Sequence, residues 1–530
     1  MSPVALFELI LLLLAIVIGL EIVARRLQLP RAAALILGGI VLALIPDMPG
    51  LELDPELVLV LFLPPLLMSS AFFTSWRDFR ANLRIILQLA VGAVVFTTLI
   101  VGVVAHWVMP SLPWAACFAL GAIVSPPDAV AAKSVLARVN LPPRMTVLLE
   151  GESLVNDATG LVLFRFAVAA GLTGAFDAGQ AVLSFGVVAV GGIALGTAFG
   201  FAIAWILSRL SPPHMAVVGS LLASWAAYIG AEALHVSGVL AVVCSGLVMG
   251  WRQHHALDAA TRIRAQAVWS VVEFVLESLV FILIGLSLRG VLARLGGTWE
   301  SVLPLLPAAL AIVLATVVSR FVWMIPATYI PRFLVPSLRQ RDPYPPLAVP
   351  MIMSWAGLRG VVSLAAALAL PEEFPGRDFI VATTFLVILV TVLVQGATLA
   401  PLVRAFHLGD FTLQRRDTLP EAAARARMAA AQLAALEQHS LADDGSHRHP
   451  RLLEQYSYRA RAAVRYSEAE GSLVESKNEH FEAVLTAIAA GRSELLRQHR
   501  TDEIHDDVLH ALEAELDIEE MGARRQRDIE

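Results

Sequence analysis

Apolar residues gather along this chain into runs too long and too continuous for the one-sided helices of a soluble bundle. Thirteen runs can be traced, at about 4–23, 32–46, 56–74, 85–108, 113–132, 145–171, 180–207, 215–232, 236–251, 267–288, 302–330, 346–370 and 379–403. A helix needs about 20 apolar residues to cross the hydrocarbon of a bilayer, so most of these span by length; the two shortest rely on their neighbours. The fifth run is interrupted by Gly121 and then by Ser125-Pro126-Pro127-Asp128, the twelfth by Gly357-Leu358-Arg359-Gly360. Proline lacks a backbone donor and glycine loosens the helical ladder, so both runs are predicted to break near mid-membrane. Two broken helices seven runs apart predict two six-helix halves of opposite topology, runs 1–6 and 8–13, joined by the seventh. The expected fold class is an all-α polytopic membrane protein of about 13 transmembrane helices in two inverted repeats, followed by a helical cytoplasmic tail.

The tail begins where composition changes, after Arg404, and gives a division into a membrane part, 1–409, and a soluble part, 410–530. Leu419 to Glu437 is rich in Ala, Arg and Glu and predicts a helix. Asp443 to Pro450 predicts a polar loop, and 451–500 and 503–520 predict amphipathic helices, with the last ten residues frayed. The whole chain is 57% hydrophobic and 16% charged, with a mean hydropathy of +0.71, far from a soluble protein. Residues 410–530 hold 16 Lys and Arg against 24 Asp and Glu, a net of −8, whereas the membrane part is close to neutral.

Basic residues in the connections alternate. One set of loops holds Arg25, Arg26, Arg31, Arg77, Arg80, Arg84, Lys133, Arg138, Arg144, Arg209, Arg252, Arg262, Arg264, Arg332, Arg339 and Arg341. The other holds only Arg289, Arg294 and Arg377. The positive-inside rule then places the N-terminus outside and the tail in the cytoplasm, which an odd helix count satisfies. Met1 to Leu20 has no basic stretch before its apolar run, so a cleavable signal is not expected. Cys117 and Cys244 both lie in apolar runs and predict neither a disulfide framework nor a zinc site.

The sixth run carries the chemistry. Within E-G-E-S-L-V-N-D-A-T-G-L-V-L-F-R, residues 150–165, Glu152, Asn156 and Asp157 stand at membrane depth, where an ionised group is costly and rarely idle. On a helix, Glu152 and Asn156 share a face; Ser153 and Asp157 share another, rotated by about 100°. This predicts Asp157 and Ser153 facing a wet cavity with Glu152 and Asn156 bracing them. A partly desolvated carboxylate holds either a proton or a small cation, and hard cations favour oxygen ligands. Ser153 offers a hydroxyl, and the broken backbone at Pro126 and Pro127 offers carbonyls. Asp128 either joins the site or compensates the exposed helix ends. Arg359, in the other break, must find an anion: Glu152 is the expected partner, with Asp128 or a carbonyl as the alternative. Arg165, Glu273, Glu277 and Arg320 are further intramembrane charges; Glu277 with Arg320 is a candidate interhelical pair that nothing in the sequence fixes, and packing is the expected role.

The segments G-E-S-L-V-N-D-A-T-G-L-V-L-F, S-P-P-D-A-V-A-A, F-L-P-P-L-L (62–67) and S-W-A-G-L-R-G-V-V-S-L (354–364) resemble the monovalent cation/proton antiporter family, which includes bacterial and animal sodium/proton exchangers. The resemblance covers roughly 4–404, and the length fits the bacterial branch with a long cytoplasmic tail. It implies that Asp157 binds cation and proton, that Ser153 is a cation ligand, and that Asn156, Glu152 and Arg359 form the bracing network. It further implies a homodimer formed by helices 1–3 and 8–10, an ion-transporting core of helices 4–6 and 11–13 moving like an elevator, and electroneutral exchange. Relatives often have Thr or Val before the helix-5 aspartate and Pro after it, where this chain has Pro127 and Ala129. Many carry an acid after the L-P-P segment, where this chain has Ser69.

The expected function is therefore exchange of cytoplasmic Na+, or Li+ or K+, for H+ across a bacterial inner membrane. Na+ and H+ are the substrates, lipids and a second copy the partners, and no cofactor is needed. A potassium/proton antiporter is one alternative, and a cation channel or a sensor signalling through the tail another. Channels use continuous pores, usually built by oligomer symmetry, whereas two opposed breaks predict one closed site per subunit. A hydrolase using Ser153 lacks a His or Lys in the same run to activate it. The acidic tail offers nothing to nucleic acid. Seven of the 13 histidines (His439, His447, His449, His480, His499, His505, His510) lie in the tail, where they form a solvated surface or sense pH.

Overall fold

The computed structural model describes residues 3–45, 55–128, 132–133, 141–174, 178–296, 302–406, 421–468 and 474–527. The apolar runs appear in it as α1 (Pro3–Arg26), α2 (Arg31–Ala43), α3 (Pro55–Phe73), α4 (Trp76–Val108), α5 (Trp114–Val124), α6 (Pro143–Thr173) and α7 (Ala178–Leu207). They continue as α8 (Pro213–Ala233), α9 (Gly238–Ala256), α10 (Ala259–Leu286) and α11 (Leu306–Leu334). The twelfth run is split into α12 (Ala348–Trp355) and α13 (Val361–Leu368), and the thirteenth is α14 (Arg377–Ala405). Nine of the described helices are long and apolar enough to cross a membrane unaided. The fifth run stops at its proline pair as expected; most of the chain between that break and α6, Ala129 included, lies outside the described residues.

The membrane helices pack in two groups. α9 lies on α7 and α3, α10 on α2, and α8 on α3, α7, α9 and α10. In the other group α6 lies on α4 and α5, α4 on α5 and α11, and α14 on α11 and α13. Lipid tails are as apolar as leucine, so helices associate in a bilayer by close backbone approach. Gly39 and Gly285 show it: a Cβ on Gly285 would run into the Ile36 carbonyl and the Gly39 Cα. α4 loosens into a π turn at Gln88–Ala93, where the Trp323 indole N–H of α11 donates to the Gln88 carbonyl at 3.1 Å.

At the arginine-rich end, the loop after α11 places Asp342 among three cations. Arg144 donates to it at 2.8 Å, Arg332 at 2.6 Å and Arg84 at 3.4 Å, joining the ends of α4, α6 and α11. Burial pushes the Asp342 carboxyl up, but the hydrogen bond and charge of Arg144, with the charges of Arg332 and Arg84, outweigh it. They hold the group below the usual carboxylate range.

Gln414–Glu530 form a separate unit of helical hairpins. α15 (Glu421–Ser440) pairs with α16 (Pro450–Glu468), and α17 (Val474–Arg500) with α18 (Asp506–Arg527). The expected loop at 443–450 is the first hairpin's turn, where the Arg448 N–H donates to the Ser440 carbonyl at 2.8 Å. The fraying expected for the last ten residues is not seen as far as Arg527, the last described residue. α18 runs to Arg527, with Arg524 bonded to Glu520 one turn back and three arginines favourably placed at the helix C-terminus.

Candidate functional site

The two breaks cross and bond to each other. The Asp128 N–H donates to the Leu358 carbonyl at 2.7 Å, so the backbone freed in one interrupted run satisfies the other. Side chains make the same exchange in both directions. Arg359, 2% exposed, sends Nε to the Val124 carbonyl at 2.7 Å and Nη2 to the Ser125 carbonyl at 3.3 Å, placing its charge on the negative end of α5. Its Nη1 donates to the Gly357 carbonyl, and its backbone N–H to Thr391 Oγ1 at 3.1 Å. In return the Asp128 carboxylate lies against Gly360, at the positive N-terminus of α13. Its Oδ2 occupies the place a Cβ on residue 360 would need, so glycine there lets the carboxylate sit against the backbone and any larger residue would displace it.

α6 passes beside this crossing. Asn156, fully buried, donates Nδ2 to the Pro127 carbonyl at 2.6 Å and so holds the fifth-run break in position. Its Oδ1 is buried with no hydrogen-bond partner among the described residues. Gly160, one turn further on, lets Pro126 pack on the helix; a Cβ there would meet the Pro126 ring. Asp157 is 7% exposed, and with Ser153 it lines a cavity bounded also by Pro126, Asp128, Ser70 of α3 and Ser363 of α13. The cavity extends toward the N-terminal end of α6, where Glu150 meets Lys133 at 3.6 Å and where Glu273 and Glu277 of α10 face it. The predicted sharing of faces therefore holds: Ser153 and Asp157 front the cavity, and Asn156 turns to the break. Pro127 is not on the lining, its carbonyl being engaged by Asn156, while Pro126 is.

One expected ion pair is corrected, and a second candidate pair does not form. Glu152 does not meet Arg359. It accepts Arg320 of α11 in a two-pronged pair, Nη1 to Oε1 at 2.6 Å and Nη2 to Oε2 at 2.8 Å. Arg320 also donates Nε to the Met353 carbonyl at 3.2 Å. Arg359 instead takes carbonyls, part of the alternative left open for it, because the unwound ends of the broken helices leave acceptors within hydrogen-bond reach of its guanidinium. Nor does Glu277 pair with Arg320; it contacts Arg31 at the start of α2, whose guanidinium also lies 5.4 Å from the Phe274 ring. Sequence reasoning missed Arg320 as a partner of the sixth run and Thr391 and Gly360 as supports of the twelfth-run break. A lone arginine inside the eleventh run was the available signal.

A family profile described as sodium/hydrogen exchanger, transmembrane, matches residues 10–405. An uncharacterized sodium/proton exchanger of Mycobacterium tuberculosis is 32% identical over 538 residues, spanning 98% of this chain and 96% of its own length. A sodium, potassium, lithium and rubidium/proton antiporter of Bacillus subtilis is 34% identical over 411 residues, 74% of this chain and 61% of that protein. The solved sodium/proton antiporter of Methanocaldococcus jannaschii superposes with a TM-score of 0.62 at 21% identity, covering 77% of this chain and 100% of that one, a likeness of fold.

Proposed function

Because the chain belongs to the sodium/hydrogen exchanger family, we propose that Asp157 is the group on which its two ions are exchanged. The protein is a sodium/proton antiporter, a secondary transporter and not an enzyme. A carboxylate largely removed from water is best neutralised, and a proton or a sodium ion does so equally well in charge but not at the same time. Ser153 adds a neutral oxygen from the preceding turn, and Asp128 adds a charge held at the start of α13. Trading one proton for one sodium ion on one acid leaves the net charge unchanged, which is electroneutral exchange. Presenting that acid alternately to the two sides of the bilayer couples the flows. No further cofactor enters this cycle.

The observation that carries the reading is the placing of Asp157: on a cavity wall beside two crossed helix breaks, with Ser153 on the same face. The basic connections orient the chain in a bacterial inner membrane with its N-terminus outside and its tail in the cytoplasm. The cavity then opens on the cytoplasmic side. The group α1–α3 with α8–α10 is the static scaffold and homodimer contact, and α4–α6 with α11–α14 the part that moves. Potassium and lithium are second cation candidates, favoured by the broad cation range for which the Bacillus subtilis relative is named. Dye-quench exchange in proteoliposomes, across Na+, K+ and Li+ with the voltage clamped, tests the function. Cation-driven proton movement insensitive to voltage is expected; a cation current without proton counter-flow would overturn the reading.

A further inference from the structure

Arg165 and Glu232 form an ion pair, Nη2 to Oε2 at 3.0 Å, on the opposite side of Asp157 from the cavity. Arg165 lies on α6 eight residues beyond Asp157, roughly 12 Å along the axis. Glu150, on the cavity side, lies seven residues before Asp157, roughly 10 Å the other way. The same helix thus has an open side below its acid and a tied side above it.

The two partners sit on helices from different packing groups. α6 rests chiefly on α4 and α5, whereas α8, which carries Glu232, packs on α3, α7, α9 and α10. Glu232 is fixed within its own group, since its Oε1 accepts the backbone N–H of Gly238 at the start of α9, at 3.2 Å. A carboxylate at a helix N-terminus is already favourably placed, so it forms a ready receptor rather than a drifting surface charge. Arg165 is the half that would travel with Asp157.

We propose that Arg165–Glu232 is a latch across the two helix groups that holds the transporter open toward its arginine-rich face, and that it breaks each time α6 carries Asp157 to the other face. The latch rests on the alternating-access reading of the function. The pair is partly exposed, with side chains 59% and 33% accessible. It therefore biases the two states by about fivefold at most, enough to set their ratio without making either unreachable.

The test uses the full chain in proteoliposomes. Ser70, on the cavity wall, is replaced (Ser70→Cys) and labelled with a membrane-impermeant maleimide from either face; the parent chain sets the background from Cys117 and Cys244. Adding Arg165→Ala should shift the labelling ratio toward the face away from the arginine-rich loops by about three- to fivefold. The charge swap Arg165→Glu with Glu232→Arg should restore it. In a second arm, Arg165→Cys with Glu232→Cys is bridged by a short bis-maleimide, whose linking is checked by mass spectrometry and which should stop sodium/proton exchange. An unchanged ratio in Arg165→Ala, or undiminished exchange in the cross-linked protein, would overturn the latch. The ratio is read without any transport, so failure of the antiport reading itself shows separately, as a parent protein that exchanges no protons for sodium.

Discussion

Glu152 and Arg320 meet through both carboxylate oxygens and both terminal guanidinium nitrogens, at 2.6 and 2.8 Å, with the two side chains 1% and 3% exposed. A planar fork matches a carboxylate in this way and a lysine could not. With its Nε on the Met353 carbonyl, Arg320 joins α6, α11 and the end of α12.

Removing one partner of such a pair leaves a buried, uncompensated charge. Arg320→Ala should cost about 3–5 kcal/mol of stability, read as a lower thermal midpoint in detergent. Glu152→Leu combined with Arg320→Met should recover a large part of that loss, because neither charge then remains. A double variant as unstable as the single one would contradict the pairing.

Arg359 acts through geometry as much as charge, reaching carbonyls on both sides of the crossing. Arg359→Lys keeps the charge but loses the fork. Exchange should fall by about tenfold or more while the protein still inserts, and Arg359→Ala should also lower the thermal midpoint by stranding the carbonyls of Val124 and Ser125. Equal activity of the lysine variant and the parent would remove the capping role.

Gly360→Ala should push the Asp128 carboxylate off the start of α13. The expected result is a weaker apparent affinity for sodium. In a double-mutant cycle, Asp128→Ala added to Gly360→Ala should cause little further loss, since both disturb one contact. Fully additive losses would show that the two residues act independently.

Asp342 gives a pH dependence of known sign. Its carboxyl is held below the unfolded value of 3.8, so its contribution to stability is present above that pH and is lost as the pH falls through the lowered value. Asp342→Asn should therefore melt at a lower temperature than the parent at neutral pH. The gap should narrow below pH 3.8 and close at still lower pH, as followed by thermal melts across pH. A gap independent of pH would show that charge is not its source.

Among the described residues, the thirteen apolar runs and both breaks were legible because hydropathy, proline and glycine act locally. Asn156 and Asp157 were legible too, since their faces follow from helical spacing alone. Arg320 was not. Three arginines, at 165, 320 and 359, lie in apolar runs; Arg165 is on the helix of Glu152 itself, and which of the other two reaches Glu152 depends on how α11 and the twelfth-run break lie around α6. Charge alone favoured Arg359; the carbonyls exposed by the break decided otherwise. The partner of Glu277 was hidden for the same reason, because Arg31 stands at the mouth of a different helix, outside any apolar run. Gly360 read as a helix breaker, and only the crossing shows that a neighbouring carboxylate fills the space of its absent side chain.

In this mechanism one carboxylate holds sodium or a proton in turn. Calorimetric titration of the purified protein with sodium, in buffers of different ionisation enthalpy, measures both at once. The expected result is about one proton released per sodium bound, an affinity that weakens by about tenfold per pH unit on the acid side, and no sodium-linked proton release in Asp157→Asn. Sodium binding that ignores pH, or proton release unchanged in Asp157→Asn, would contradict it.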